Sequence, residues 1–183
     1  MADHETTEVL SLAAVVYGGG TDIDTVMAAF IAEIIGAQAR VGGVMQVKID
    51  GRMCGPNAPM LLKDVANGEI LSISQDLGPC AESCRLDPDG LAKAAMRVRK
   101  AAESTDYDLV VISKFGKEEA AGRGLREELA LAAATGRPVL TSVRRNLVQD
   151  WHEFTGGAGT LLEPKLPALR AWWGEVKAAK AAA

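Results

Sequence analysis

The stretch LSLAAVVYGGGTDIDTVMAAFIAEIIG at residues 10–36, followed by VGGVMQVKI at 41–49, decides the fold. LSLAAVV is a short apolar run with β-branched residues that stops at YGGG, which is the pattern of a strand buried on both faces. After the glycines and TDID, the residues Val26, Met27, Phe30, Ile31, Ile34 and Ile35 recur at helical spacing. Gly36 stands where such a helix ends. VGGVMQVKI then returns as a second buried strand. The order strand, glycine turn, helix, strand makes a parallel crossover unit.

The rest of the chain continues this alternation with one interruption. Residues 60–76, MLLKDVANGEILSISQD, hold two short apolar segments around Asn67-Gly68, a dipeptide that accepts positive φ, and a small β-hairpin is expected there. From Asp87 the pattern turns helical, with Asp87 as N-cap, Pro88 at the first position and Leu91, Ala94, Ala95, Val98 and Ala102 as the apolar stripe. DLVVIS at 108–113 reads as a buried strand, 118–134 as one helix ending near Gly136, and PVLTS at 138–142 as another short strand. A last helix is expected from residue 165, with Leu169, Trp172, Trp173 and Val176 on its inner face and a frayed tail after Lys177.

The expected fold class is therefore α/β: a doubly wound, mostly parallel sheet with helices on both faces and a small β-hairpin insertion. One domain is expected over 1–183, with the hairpin and the cysteine-bearing loops within 50–88. Such sheets collect ligands at the carboxyl ends of their strands, which directs attention to the loops after Tyr17, Gln46 and Ser142 and to residues 114–124.

Composition sets the class of partner. The 183 residues are 48% hydrophobic and 24% charged, the balance of a globular chain. No apolar run approaches the roughly 18 residues of a membrane span, and MADHETTEV lacks the basic and apolar regions of a secretory signal. A cytoplasmic protein without a membrane span is the expectation. A net charge of −4 and a pI near 5.3 argue against a nucleic-acid partner, because counterion release needs a basic surface. The three cysteines, Cys54, Cys80 and Cys84, fit reduced thiols. They supply three thiolates for a soft metal, but His4 and His152 lie far from them in sequence and offer no obvious fourth ligand.

Several segments taken together resemble a bacterial family of phosphate-binding-loop nucleotidase-like proteins associated with molybdate uptake or molybdenum metabolism. They are VVYGGGTDID, VGGVMQ, ISQDLGPCAESCRLDP, ISKFGKEEAAGRGLREEL, GRPVLTSV and the AWW at 171–173. The resemblance covers nearly the whole chain, and its most specific parts are Cys84-Arg85-Leu86-Asp87 and residues 114–124. It implies a fold like that of phosphate-loop nucleoside triphosphatases and a molybdenum context, but no settled reaction.

A nucleotide phosphate loop needs G-x-x-x-x-G-K-[ST], in which backbone N–H groups close around phosphate, the lysine neutralises it and the hydroxyl holds magnesium. Residues 18–25 keep the spacing from Gly18 to Thr25, but Ile23 replaces the second glycine and Asp24 the lysine. A carboxylate about 4 Å from a phosphate repels it by about 4 kcal/mol per unit charge at an effective dielectric near 20. In the related nucleotidases the strand matching 108–113 ends in an acidic pair that orders magnesium; here Ser113 and Lys114 stand in those places. Charge at the strand end has switched from negative to positive, which favours an anion over a metal.

The candidate ligand-binding residues follow from that chemistry. Gly18, Gly19 and Gly20 offer backbone donors near a helix N-terminus, and Thr21 and Thr25 add hydroxyls, while Asp22 and Asp24 compete as helix caps. Lys114 and Lys117 stand at a strand end, with Glu119 close enough in sequence to neutralise either. Arg123 lies between Gly122 and Gly124, where a guanidinium fork approaches an oxyanion closely, and Arg126 either joins it or pairs with Glu127 or Glu128. Arg85 is an anion contact or the partner of Asp87. His152, beside Trp151 and Phe154, reads as packing. Adjacent Trp172 and Trp173 suggest that one indole covers a second subunit or a loop, hence a homodimer.

The function expected is an oxyanion- or nucleotide-binding accessory or regulatory protein with a degenerate phosphate loop, serving molybdate handling and forming part of the uptake apparatus. Its ligand would be molybdate, another oxyanion or a nucleotide. Two alternatives stand beside it. One is a nucleoside triphosphatase that recruits Lys114 or Lys117 to the phosphates and Asp76 or Asp87 to magnesium. The other is a thiol-metal protein built on Cys54, Cys80 and Cys84.

Overall fold

The computed structural model describes residues 11–48, 59–75 and 86–182. It opens with strand β1 (Leu12–Tyr17), helix α1 (Ile23–Gly36) and strand β2 (Val41–Val47), the crossover unit expected from the sequence. The hairpin follows as β3 (Leu61–Asp64) and β4 (Ile70–Ser72). Then come α2 (Pro88–Glu103), β5 (Leu109–Ile112), a single turn α3 (Lys117–Ala120), α4 (Arg126–Ala134) and β6 (Val139–Arg144). A 3-10 turn (Arg145–Leu147), α5 (Val148–Thr155), β7 (Thr160–Leu162) and α6 (Leu166–Ala182) complete the described chain.

All seven strands join one sheet in the order β4-β3-β2-β5-β6-β1-β7. The five strands from β2 to β7 in that order are parallel, and the hairpin adds two antiparallel strands beyond β2. Alternate residues face two layers. Ala14, Val110, Ile112, Val139 and Val143 pack with Val98 of α2, Leu129 of α4 and Trp151 of α5. Ala13, Val15, Val111 and Leu140 pack on the other side with Met27 and Phe30 of α1 and with Leu169 and Trp172 of α6. Helices thus cover both faces, which is why β1 and β5 read as continuous apolar runs. Phe115, Trp151 and Phe154 form an aromatic knot at the carboxyl edge, with centroids 5.3 to 5.8 Å apart.

Local chemistry accounts for the boundaries. Asp87 caps α2 through its carboxylate, which accepts from the N–H groups of Asp89 and Gly90 at 3.2 Å, and Pro88 opens the helix. The hairpin turns at residues 65–69, where Asn67 Oδ1 accepts from the Glu69 N–H at 2.9 Å and Gly68 takes φ +78°.

Four expectations need correction. The helix expected over 118–134 is two pieces, because Gly122 and Gly124 adopt φ of +81° and +64° and break the α-helical path. Trp172 and Trp173 are both buried, at 2% and 7% exposure, so neither supplies the surface on which the homodimer expectation rested. Residues about 100° apart both fit under the wide apolar stripe of a core-facing helix. The tail does not fray after Lys177, since α6 continues to Ala182 on alanine-rich sequence and Lys180 Nζ donates to Asp108 at 3.3 Å. Finally, α5 and β7 lie where the sequence reading had placed no element.

Gly43 marks the tightest point between β2 and β5. Its φ is +98°, and a Cβ there would stand 2.1 Å from the Val111 carbonyl oxygen. Gly43→Ala is expected to lower stability by about 3 kcal/mol or more through backbone strain and forced separation of the strands. Chemical denaturation with the slope held as a check on two-state behaviour measures it.

Candidate functional site

The parallel pairing of β1 with β6 runs from Leu12 opposite Val139 to Tyr17 opposite Arg144. The chain leaving β1 at Gly18 therefore emerges beside the chain leaving β6 at Arg144. Between them lies a cleft of about 460 Å³ lined by Tyr17, Gly18, Gly19, Gly20, Thr21, Arg144, Arg145 and Asn146. A Cβ on Gly18 would lie 3.9 Å from Arg145 Nε, so this guanidinium borders the glycine loop. Arg144 stands over the Tyr17 ring at 5.9 Å from its centroid. Gly20 takes φ +84°. Both arginines are exposed, and neither forms an ion pair among the described residues.

The start of α1 is already capped. Asp22 accepts from the Thr25 N–H at 3.3 Å and from the Thr25 hydroxyl at 3.0 Å, while Lys48 Nζ donates to it at 2.9 Å. The Lys48 ammonium in particular holds the Asp22 carboxyl below its usual range. Both polar groups of Thr25 are thus engaged by Asp22 rather than turned toward the cleft.

Asp24 behaves differently. Burial pushes its carboxyl above the usual range, the Lys114 and Lys48 charges work against that shift, and Asp22 adds to it. Lys48 Nζ is 3.9 Å from one carboxylate oxygen, and the other, Oδ1, is buried without a hydrogen-bond partner. The charges of Asp24 and Lys114 act on one another. The donors here, a serine hydroxyl and an ammonium at the end of β5 and a carboxylate matched to two ammonium groups, do not fit magnesium.

Lys114 and Lys117 line a second cavity, which shares no lining residue with the glycine cleft. Glu119 forms no ion pair with either lysine, and its carboxylate accepts from the backbone N–H groups of Gly116 and Leu125, both at 2.9 Å. Arg123 is held by Glu118 at 2.8 Å and lines neither cavity. Arg126 donates to the Glu119 carbonyl at 2.8 Å and lies over Phe154, while Glu127 and Glu128 pair with Arg99 instead. Asp87 is engaged as the cap of α2. Arg85, Asp76, Cys54, Cys80 and Cys84 lie outside the described residues.

Sequence reasoning reached the loop after Ser142 but did not single out Arg144, Arg145 and Asn146. The available signal was the run RRN directly after the apolar segment PVLTSV, at a carboxyl strand end.

Residues 12–172 match the family model described as Protein of unknown function (DUF2478). The chain belongs to that family. This DUF2478 chain is also 45% identical over 163 residues, 88% of its length, to the Molybdenum import ATP-binding protein ModC 2 of Bradyrhizobium diazoefficiens. It spans 18% of that relative's length. Among solved structures it resembles a human cancer-related nucleoside triphosphatase with a TM-score of 0.59 at 15% identity, covering 82% of this chain and 87% of the other. At that identity the likeness concerns the α/β fold alone. No helix among the described residues is long and apolar enough to cross a membrane.

The raised Asp24 carboxyl has a consequence for stability. The folded state keeps that proton to higher pH than the unfolded chain, so ionisation costs stability as pH climbs above the ordinary value of 3.8. Asp24→Asn, which keeps the shape without the charge, is expected to raise the melting temperature at neutral pH. The gain should shrink toward zero below the ordinary carboxylate range, and melting curves across pH check both limbs.

Proposed function

We infer that this chain binds a tetrahedral oxyanion, either free or as the terminal phosphate of a nucleotide, in the cleft between residues 18–21 and the Arg144–Arg145 pair. The observation that carries this reading is the juxtaposition of a glycine loop with two exposed guanidinium groups free of carboxylate partners among the described residues. Backbone N–H groups and guanidinium forks suit tetrahedral oxyanions without needing the missing loop lysine. The volume of about 460 Å³ lies in the range of small-molecule sites, so it takes a group larger than one oxyanion. Gly18, Gly19, Gly20 and Thr21 are the proposed loop contacts, with Arg144 and Arg145 as the cations. Lys114 and Lys117 line the separate cavity and Arg123 is held by Glu118, so none of the three is among the proposed contacts.

The proposed role is that of an accessory or regulatory factor in molybdate handling. Support comes from the 45% identity to a relative named for molybdenum import and ATP binding, although this chain corresponds to only 18% of that protein. Molybdate is a tetrahedral dianion and suits the same donors as phosphate. The switch from acid to Ser113 and Lys114 at the end of β5 weighs toward binding over magnesium-assisted hydrolysis.

Titration calorimetry with molybdate, tungstate, phosphate and ATP tests the reading. At least one is expected to bind, and Arg145→Ala should weaken it by about tenfold or more, the loss of one charge-assisted hydrogen bond. Arg145 is exposed, so the variant should keep the parent melting temperature. No binding by any of the four at millimolar concentration overturns the proposal, and equal affinity in the variant moves the site elsewhere.

A further inference from the structure

We propose that the second cavity, at the carboxyl end of β5, is a binding site for a small organic anion with an apolar body of single-ring size. It is separate from the glycine cleft, and the proposal stands whether or not that cleft binds an oxyanion.

The cavity measures about 210 Å³. A cavity of about 150 Å³ lined by aliphatic and aromatic side chains admits benzene, so this one has room for a ring or branched chain carrying one substituent. Met60, Leu62, Ile73, Leu86, Leu91 and Leu125 build its apolar walls. They come from β3, the ends of the hairpin, α2 and the residues just before α2 and α4.

Its polar lining is Gln46, Ser113, Lys114, Lys117, Glu118 and Glu119. Ser113 lines the cavity at 3% exposure, and its hydroxyl has no hydrogen-bond partner. A buried hydroxyl left unsatisfied lowers stability, and a ligand atom accepting or donating there would recover that loss. Lys114 and Lys117 also line the cavity. Two acids line it as well: Glu118, which is paired with Arg123, and Glu119, which accepts from the Gly116 and Leu125 amides and keeps its charge. Lys117 forms no ion pair among the described residues, and Lys114 has only the more distant influence of Asp24. The result is an apolar chamber in which two ammonium groups stand against one carboxylate, Glu119, that is not already paired with a cation among the described residues, which leaves a surplus of positive charge. A neutral apolar molecule would leave those charges unanswered, and a bare inorganic anion would leave the walls unfilled. A carboxylate on an apolar body answers both.

Chemical-shift mapping of the full chain with benzoate tests this, with acetate as the anion lacking a body and benzyl alcohol as the body lacking a charge. Benzoate is expected to cause saturable shifts at Ser113, Lys117, Leu125 and Leu91, and to bind at least about tenfold tighter than either control. Lys117→Ala should weaken benzoate by about fivefold or more. Ser113→Ala should weaken it while leaving the melting temperature unchanged or higher, since it removes an unsatisfied hydroxyl. Leu91→Phe, which fills the chamber, should abolish the shifts, with circular dichroism confirming its fold. If Leu91→Phe unfolds the chain, the Lys117→Ala and Ser113→Ala comparisons still decide. Benzoate no tighter than acetate means surface ion pairing only and overturns the proposal. So do shifts confined to residues 18–21, or none into the tens of millimolar.

Discussion

The parallel ladder between β1 and β6 is the constraint on which the rest depends. Leu12 to Tyr17 lies in register with Val139 to Arg144, so the two strands end level with one another. A parallel sheet sends every strand's carboxyl end to the same edge, and the glycines after β1 therefore meet the arginines after β6. A slip of one residue would turn Ser142 and Arg144 to the opposite face of the sheet and change which side chain stands opposite Tyr17. The register is held by the core itself, since Ala13, Ala14, Val15, Val139 and Leu140 are fully buried between two helical layers.

Charge at this edge is arranged around Asp24, whose carboxylate is offset in part by Lys114 and Lys48. Burial still raises the Asp24 carboxyl, which means that the two ammonium groups do not fully compensate for its lost hydration. The positive charge facing the glycines comes instead from Arg144 and Arg145, which remain hydrated at the surface and carry little desolvation cost. Lys114 is the residue common to both neighbourhoods, acting on Asp24 on one side and lining the second cavity on the other.

Where the sequence was legible, local physics was sufficient. Asp87 and Pro88 announce the start of α2, Asn67-Gly68 announces the hairpin, and the buried strands are apolar runs closed by glycine or polar residues. Where it was not, a tertiary contact overrode the local pattern. The 118–134 segment has helical periodicity, yet the Glu119 carboxylate bridges Gly116 and Leu125 across a kink that two left-handed glycines permit. Trp172 and Trp173 both find cover because α6 packs against α1 as well as the sheet, with Arg170 and Glu33 joined across the two helices. The strand at Thr160–Leu162 is three residues long and exists because β1 offers it an edge.

The amino-acid sequence by itself determined the α/β class, the glycine turn after the first strand and the hairpin insertion. Each of these is written in a contiguous pattern of apolar spacing or residue identity. Only the tertiary structure decided which cations meet the glycines. That choice depends on β6 lying directly beside β1, whereas β5, which carries Lys114, is one strand further away. Strand order is a property of how the whole sheet buries its two faces, and no local stretch of residues encodes it.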